Sequence, residues 1–163
     1  MHVTFAPRGI LQIDDARIIF RNFAGEASPY NDKGKRNFAV VIPDQETADA
    51  LIAEGWKVKI KPPREEGEEP FRTLQVKVQF NDFGPKVYLT SGSANVELSE
   101  ETVHRLDRID IASCDLDIRP YDWERPDGTS GRSAYLQSIH VVQKVDRFAS
   151  RFEDDGEPPF DVD

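Results

Sequence analysis

Arg119, Tyr121, Trp123 and Arg125 alternate along the stretch RPYDWER, so an extended strand would project all four from one face. Rings interleaved with arginines on an exposed face suit a single-stranded nucleic acid. Bases stack on the rings at about 1–3 kcal/mol each, while the cations track the phosphates. The opposing reading packs Tyr121 and Trp123 beneath the adjacent hairpin and leaves the arginines to solvation. Asp115 and Asp117 continue the row in the other direction, with Cys114, Leu116 and Ile118 on the opposite face. Two carboxylates on one strand face are a possible start for a two-metal nuclease, but no third carboxylate or basic partner accompanies them.

A second set sits earlier in the chain. Arg21 and Phe23 share one strand face, Arg36 and Phe38 share another, and Tyr30, Lys33 and Lys35 occupy the loop between them. Together they would form a basic, aromatic channel wall; the alternative places Phe23 and Phe38 in the core. Lys57, Lys59 and Lys61 alternate with Trp56, Val58 and Ile60, and Lys77, Lys86 and Tyr88 extend the basic surface. Alternating lysines also serve as ordinary protection of an edge strand. His2, His104 and His140 are scattered, and no cysteine or histidine spacing fits a metal site. There is neither a phosphate-binding glycine loop nor a nucleophile elbow. The residues therefore predict a binding protein, not an enzyme, with no cofactor and no metal.

The charge of the whole chain hides this basic character. The 163 residues carry a formal net charge of -9. Residues 153–163 (EDDGEPPFDVD) hold six of the 30 acids and none of the 21 bases, so the first 152 residues carry only 24 acids against 21 bases. The segment 17–36 has five bases and two acids. An acidic protein is an unpromising partner for nucleic acid, but here much of the acidity belongs to a tail whose composition does not favour folding. That tail, with Asp154, Asp155 and Glu157 before Phe160, reads as a flexible anionic segment with one aromatic anchor. It would dock partner proteins or compete for the basic groove.

The length fits one domain plus a tail, expected at 1–148 and 149–163. A chain of this size hides about 68–70% of its unfolded surface on folding and needs no disulfide to hold a core. The single cysteine, Cys114, has no partner within the chain, which fits a reducing, cytoplasmic setting. No apolar run approaches the ~18 residues of a membrane span, and residues 1–9 lack the apolar stretch of a secretory signal.

Apolar periodicity predicts roughly seven strands and two short helices, hence an all-β or β-rich domain. The strands fall at 17–23 with Ile18 and Phe20 on one face, 36–42, 56–61, 71–80, 86–90, 109–124 and 133–145. Asp44 caps a helix that ends at Gly55, and Ser99 opens a short one reaching about Leu106. Asp14 and Asp15 read as solvated turn residues. The strands from 109 and from 133 are joined by a turn through RPDGTSGR.

Four segments resemble bacteriophage single-stranded DNA-binding proteins of the OB-fold type: RNFAVVIPDQETADALIAEGWKVKI (36–60), PKVYLTSG (85–92), LDIRPYDWE (116–124) and GTSGRSAYLQSIHVV (128–142). The resemblance implies an OB-type barrel with one or two helical insertions. It also implies sequence-independent binding of single-stranded DNA, protection of strands in phage replication and recombination, and residence in the cytoplasm of the infected cell. The tail is similar to the acidic tips by which such proteins recruit phage or host replication proteins. It differs from the bacterial tip in that Asp161, Val162 and Asp163 follow Phe160. The sequence leaves the oligomeric state open. It also leaves two rivals: a β-barrel protein-interaction or virion structural module, and the nuclease.

Overall fold

The computed structural model describes residues 1–145; the tail lies outside the described residues. Ten strands and one α-helix follow in the order β1 (His2–Phe5), β2 (Leu11–Asp14), β3 (Ile18–Asn22), β4 (Arg36–Val41), α1 (Gln45–Ala53), β5 (Val58–Lys61), β6 (Phe71–Val78), β7 (Lys86–Ser91), β8 (Ala94–Leu98), β9 (Ile111–Glu124) and β10 (Ser130–Gln143). All strands belong to one sheet whose main path is β1-β2-β9-β10-β6-β4-β3, with β5 on β6 and the β7–β8 pair on β10.

The sheet curls into a barrel because β2, next to one end of this path, leads straight into β3 at the other end. β2 pairs with β9 and β3 pairs with β4, and only Asp15, Ala16 and Arg17 separate β2 from β3. Asp15 bends the chain with a left-handed φ of 52°. Beyond it, the Ala16 N–H donates to the Cys114 carbonyl at 2.7 Å, and the Val41 N–H donates to Arg17 at 2.9 Å. The Asp15 N–H is itself held by the Asp115 carboxylate at 2.8 Å, so that acid supports the bend. This is the OB-type barrel that the resemblance implies.

The core is filled by period-2 patterning. In β6, Leu74, Val76 and Val78 are buried, while Gln75 and Lys77 face solvent. They meet Phe38 and Val40 of β4, Leu116 and Ile118 of β9, and Leu136 and Ile139 of β10. Helix α1 is capped by Asp44, whose carboxylate accepts from the Thr47 N–H at 2.7 Å and is held below the ordinary aspartate range by that contact. It ends in a Schellman turn. Gly55 adopts a φ of 92°, and the Gly55 and Trp56 N–H groups return to Ile52 and Leu51 at 2.9 and 3.0 Å. That turn drives Trp56 into the core at 3% exposure and leaves Lys57 and Lys59 outside.

Several expectations are corrected. Strands β1, β2 and β8 lie where none was predicted, and Asp14 ends β2. The short helix near Leu106 is a 3-10 turn over Val103–Asp107. Phe20 does not share a buried face with Ile18. A bulge between Ile19 and Asn22 puts it at a φ of 53° and 71% exposed. Ile60 is exposed as well, because β5 is an edge strand paired only with β6.

Candidate nucleic-acid interface

The β9–β10 hairpin carries the centre of the site. Its strands pair from Gln143 opposite Ile111 to Ser130 opposite Glu124, with register shifts between Leu136 and Ser138 and between Val142 and Gln143, and a tight loop joins them. The Arg125 N–H donates to the Thr129 carbonyl at 2.7 Å, and Asp127 accepts from the Thr129 N–H and hydroxyl at 2.9 and 2.7 Å. Those Thr129 contacts hold the Asp127 carboxyl below its ordinary range. Buried positions on β9 stop at Ile118, so the hairpin beyond it stands clear of the core.

Register places Arg119 opposite Tyr135, Tyr121 opposite Ser133, and Trp123 opposite Gly131. Directly paired residues share a sheet face, so these six side-chain positions form one surface. Tyr121 is 55% exposed and meets Tyr135 edge to face, with ring centres 6.0 Å apart. The Arg119 guanidinium lies 4.9 Å and the Lys77 ammonium 5.7 Å from the Tyr135 ring centre. Arg125 lies 5.0 Å from the Trp123 ring. The Trp123 indole rests on Gly131, where an added Cβ would come within 2.4 Å of its Cζ2. Only a residue without a side chain lets the ring lie there.

The opposite face of the hairpin is braced. Arg132 grips Asp122 through two bonds of 2.7 and 3.1 Å, donates to the Glu54 carbonyl at the end of α1 at 2.8 Å, and stands 5.3 Å from the Trp56 ring. The pairing lowers the Asp122 carboxyl below its usual range, chiefly through the Arg132 hydrogen bonds, and raises the Arg132 guanidinium.

Two adjoining hollows run from the β3–β4 loop to the hairpin, and Arg132 reaches the second of them from the braced face. The first, about 710 Å³, lies between the β3–β4 loop and the outer face of β6, with Tyr30, Lys35, Arg36 and Asn37 on one side and Gln75, Lys77, Gln79 and Tyr135 on the other. The second, about 310 Å³, shares Gln75 and Lys77 and continues to Lys57, Lys59, Trp123, Arg125 and Arg132. Their combined lining holds seven cations (Lys35, Arg36, Lys57, Lys59, Lys77, Arg125 and Arg132) against one acid, Asp32. Three of the seven are ion-paired, Lys35 with Asp32, Arg36 with Glu100 and Arg132 with Asp122, and the remaining positive excess raises the local concentration of an anionic ligand.

The expected site residues divide accordingly. Tyr30, Lys35, Arg36, Lys57, Lys59, Lys77, Trp123 and Arg125 line the furrow, and Arg119 and Tyr121 adjoin it through Tyr135. Lys33 is exposed on the β3–β4 loop outside the lining. Arg36 has structural ties too, donating to the Phe23 carbonyl at 2.8 Å and pairing with Glu100 at 3.2 Å.

Two expectations fail, at Phe23 and Arg21, and a third residue, Tyr88, lies apart from the furrow. Phe23 is fully buried and stacked on Phe38 at 5.2 Å, so no base reaches it. Arg21 donates from Nη1 to the Leu106 and Ile109 carbonyls at 2.6 and 2.8 Å, which ties β3 to the 3-10 turn. Tyr88 lies on β7 opposite Glu97 and His140, outside the furrow. The tail residues Asp154, Asp155, Glu157 and Phe160 fall outside the described residues. Conversely, Tyr135, Arg132 and Gly131 were missed as site residues. The PDG turn in the sequence could have found Tyr135, because closing the hairpin there sets it across from Arg119.

Solved structures share this fold. The single-stranded DNA-binding protein from bacteriophage Enc34, in a C-terminally truncated form, aligns with a TM-score of 0.52 at 14% identity, covering 88% of this chain and 91% of that one. The same phage protein in complex with ssDNA aligns with a TM-score of 0.50 at 15% identity, covering 90% and 93%. No curated protein sequence matches the chain. The sequence model of the phage ssDNA-binding domain, however, matches residues 2–160. With nearly its whole length matched, the chain belongs to the phage ssDNA-binding domain family.

Proposed function

We propose that this protein binds single-stranded DNA without regard to sequence, along the furrow from Tyr30 to Trp123, and shields the strand during phage replication and recombination. The observation that carries this is the lining itself: seven cations against one acid, with Tyr30, Tyr135 and Trp123 among them. Lysines and arginines displace condensed counterions from phosphates, so affinity falls steeply with salt. Tyr30, Tyr121 and Trp123 offer ring faces, and every base has a π-face to stack on them. Nothing in this mechanism requires a covalent step, a cofactor or a metal, and the protein acts as a binder in the cytoplasm of the infected cell.

The acidic tail, 149–163, serves the same function. Its anions compete with DNA for the furrow or recruit replication partners through Phe160. Deleting 151–163 then tightens DNA binding at low salt, and an unchanged affinity removes the competition.

The test is anisotropy of a labelled oligo-dT at low and high salt, with the wild type and Trp123→Ala. Binding at low salt that weakens with added salt, and weakens further in the variant, supports the reading. No detectable binding at low salt overturns it, and normal binding by Trp123→Ala removes that ring's part.

A further inference from the structure

We propose that Phe83 is an additional base-stacking site, taking one nucleotide of the DNA strand where it leaves the furrow past Gln79. This rests on the ssDNA reading above and extends the bound path beyond the lining already described.

Among the described residues, the two most exposed rings are Tyr30 at 98% and Phe83 at 95%. Lone exposed apolar side chains are common, but the backbone that carries Phe83 is tightly organised. Asn81 and Gly84 exchange hydrogen bonds of 2.8 and 3.2 Å, and the Asn81 side-chain oxygen accepts from the Phe83 N–H at 2.9 Å. Gly84, at a φ of 128°, turns the chain into Pro85, which is buried. A ring on a fixed turn gives up little conformational freedom when a base covers it.

The turn also stands in the right place. Gln79 lines the furrow, and the turn begins two residues later. A Cβ on Gly84 would come 3.5 Å from the Gln137 carbonyl, so the turn lies against β10 two residues past Tyr135. Lys77 and Lys86 flank the turn on the outer face, in register with Tyr135 and Ser138. A phosphate backbone leaving the Lys77 region therefore meets a second cation beside an uncovered ring. Asp82 is the one acid on the turn.

The experiment uses the full chain and oligo-dT of two lengths, about 5 and about 15 nucleotides, within the range that single OB folds occupy. Phe83→Ala is expected to weaken binding of the longer oligomer about 5-fold or more, the loss of one stacked base. It should leave the shorter one unchanged, and Phe83→Tyr should restore the longer one. Equal affinity of wild type and Phe83→Ala for the longer oligomer overturns the proposal. So does an equal loss at both lengths, or a change in oligomeric state with DNA binding intact, which would make the ring a protein contact. Failure of the wild type to bind either length overturns the ssDNA reading instead.

Discussion

The Arg119 guanidinium stands 4.9 Å from the centre of the Tyr135 ring, on the neighbouring strand and directly opposite in register. With Lys77 at 5.7 Å, two cations are gathered on one aromatic ring at the middle of the furrow. Each such contact is worth about 0.5–1 kcal/mol at an exposed site, enough to bias where a long flexible side chain rests. Tyr135 therefore positions two cations that the proposed function assigns to phosphates, in addition to offering its own surface.

Replacing Tyr135 separates these parts. Tyr135→Phe keeps the ring and should bind oligo-dT within about 3-fold of wild type, because cation–π attraction does not need the hydroxyl. Tyr135→Ala should weaken binding by roughly 5- to 150-fold, the range for one stacking platform. Fluorescence anisotropy at fixed salt decides, and equal losses in both variants would assign the role to the hydroxyl.

Gly131 and Trp123 should behave as one unit. Gly131→Ala puts a carbon 2.4 Å from the indole, so the ring must leave its seat. The expected loss of ssDNA affinity is similar to that of Trp123→Ala, and the double variant should lose little more, since neighbouring sites acting through one contact are not additive. Thermal melts by circular dichroism distinguish a displaced ring from an unfolded hairpin.

The Asp122–Arg132 brace carries a pH signature. Its carboxyl is lowered in the folded state by the Arg132 hydrogen bonds, so its contribution is complete above the ordinary aspartate value, about 3.9. It is lost as pH falls through the folded value. The Tm difference between wild type and Asp122→Asn should hold from neutral pH to about pH 5 and close below about pH 4. A difference that closes already near neutrality would mean that another group titrates in its place.

Cys114 should be inert in the native protein. Burial pushes its thiol up to about 12, with the neighbouring Asp115 charge adding to the effect, and the thiolate is the reactive form. Ellman's reagent near pH 8 should label it slowly until guanidinium unfolds the barrel, and then fully. Rapid native labelling would mean that β9 opens at this point.

Much of this architecture is legible in the sequence where one periodicity dominates. β6 is legible because Thr73 to Val78 alternate polar and apolar, although the strand ends at Val78 and its first inward position is the buried Arg72, and α1 is legible from Asp44 and Gly55. β1, β2 and β8 escape because runs of four or five residues, such as HVTF and ANVEL, are too short for alternation to stand out. Phe20 misleads because a bulge breaks period 2 at one residue. In the furrow, Trp123 and Arg125 are visible because the strand itself spaces them. Tyr135 is hidden because its partners, Arg119 and Lys77, lie on other strands. Arg21 and Phe23 look available until the chain near residue 107 returns. Its carbonyls take the guanidinium, and the Asp107 carboxylate accepts from the Phe23 and Ala24 N–H groups at 2.7 and 3.0 Å.

The three-residue link at Asp15–Arg17 makes the seam of the barrel covalent. No ladder between β2 and β3 holds the cylinder shut there; the peptide chain does, so the circumference cannot slip in register as a hydrogen-bonded seam can. A protease cut between Asp15 and Arg17 would unfasten the wall, whereas a cut in the exposed 62–70 loop would only divide the β5–β6 hairpin at its tip.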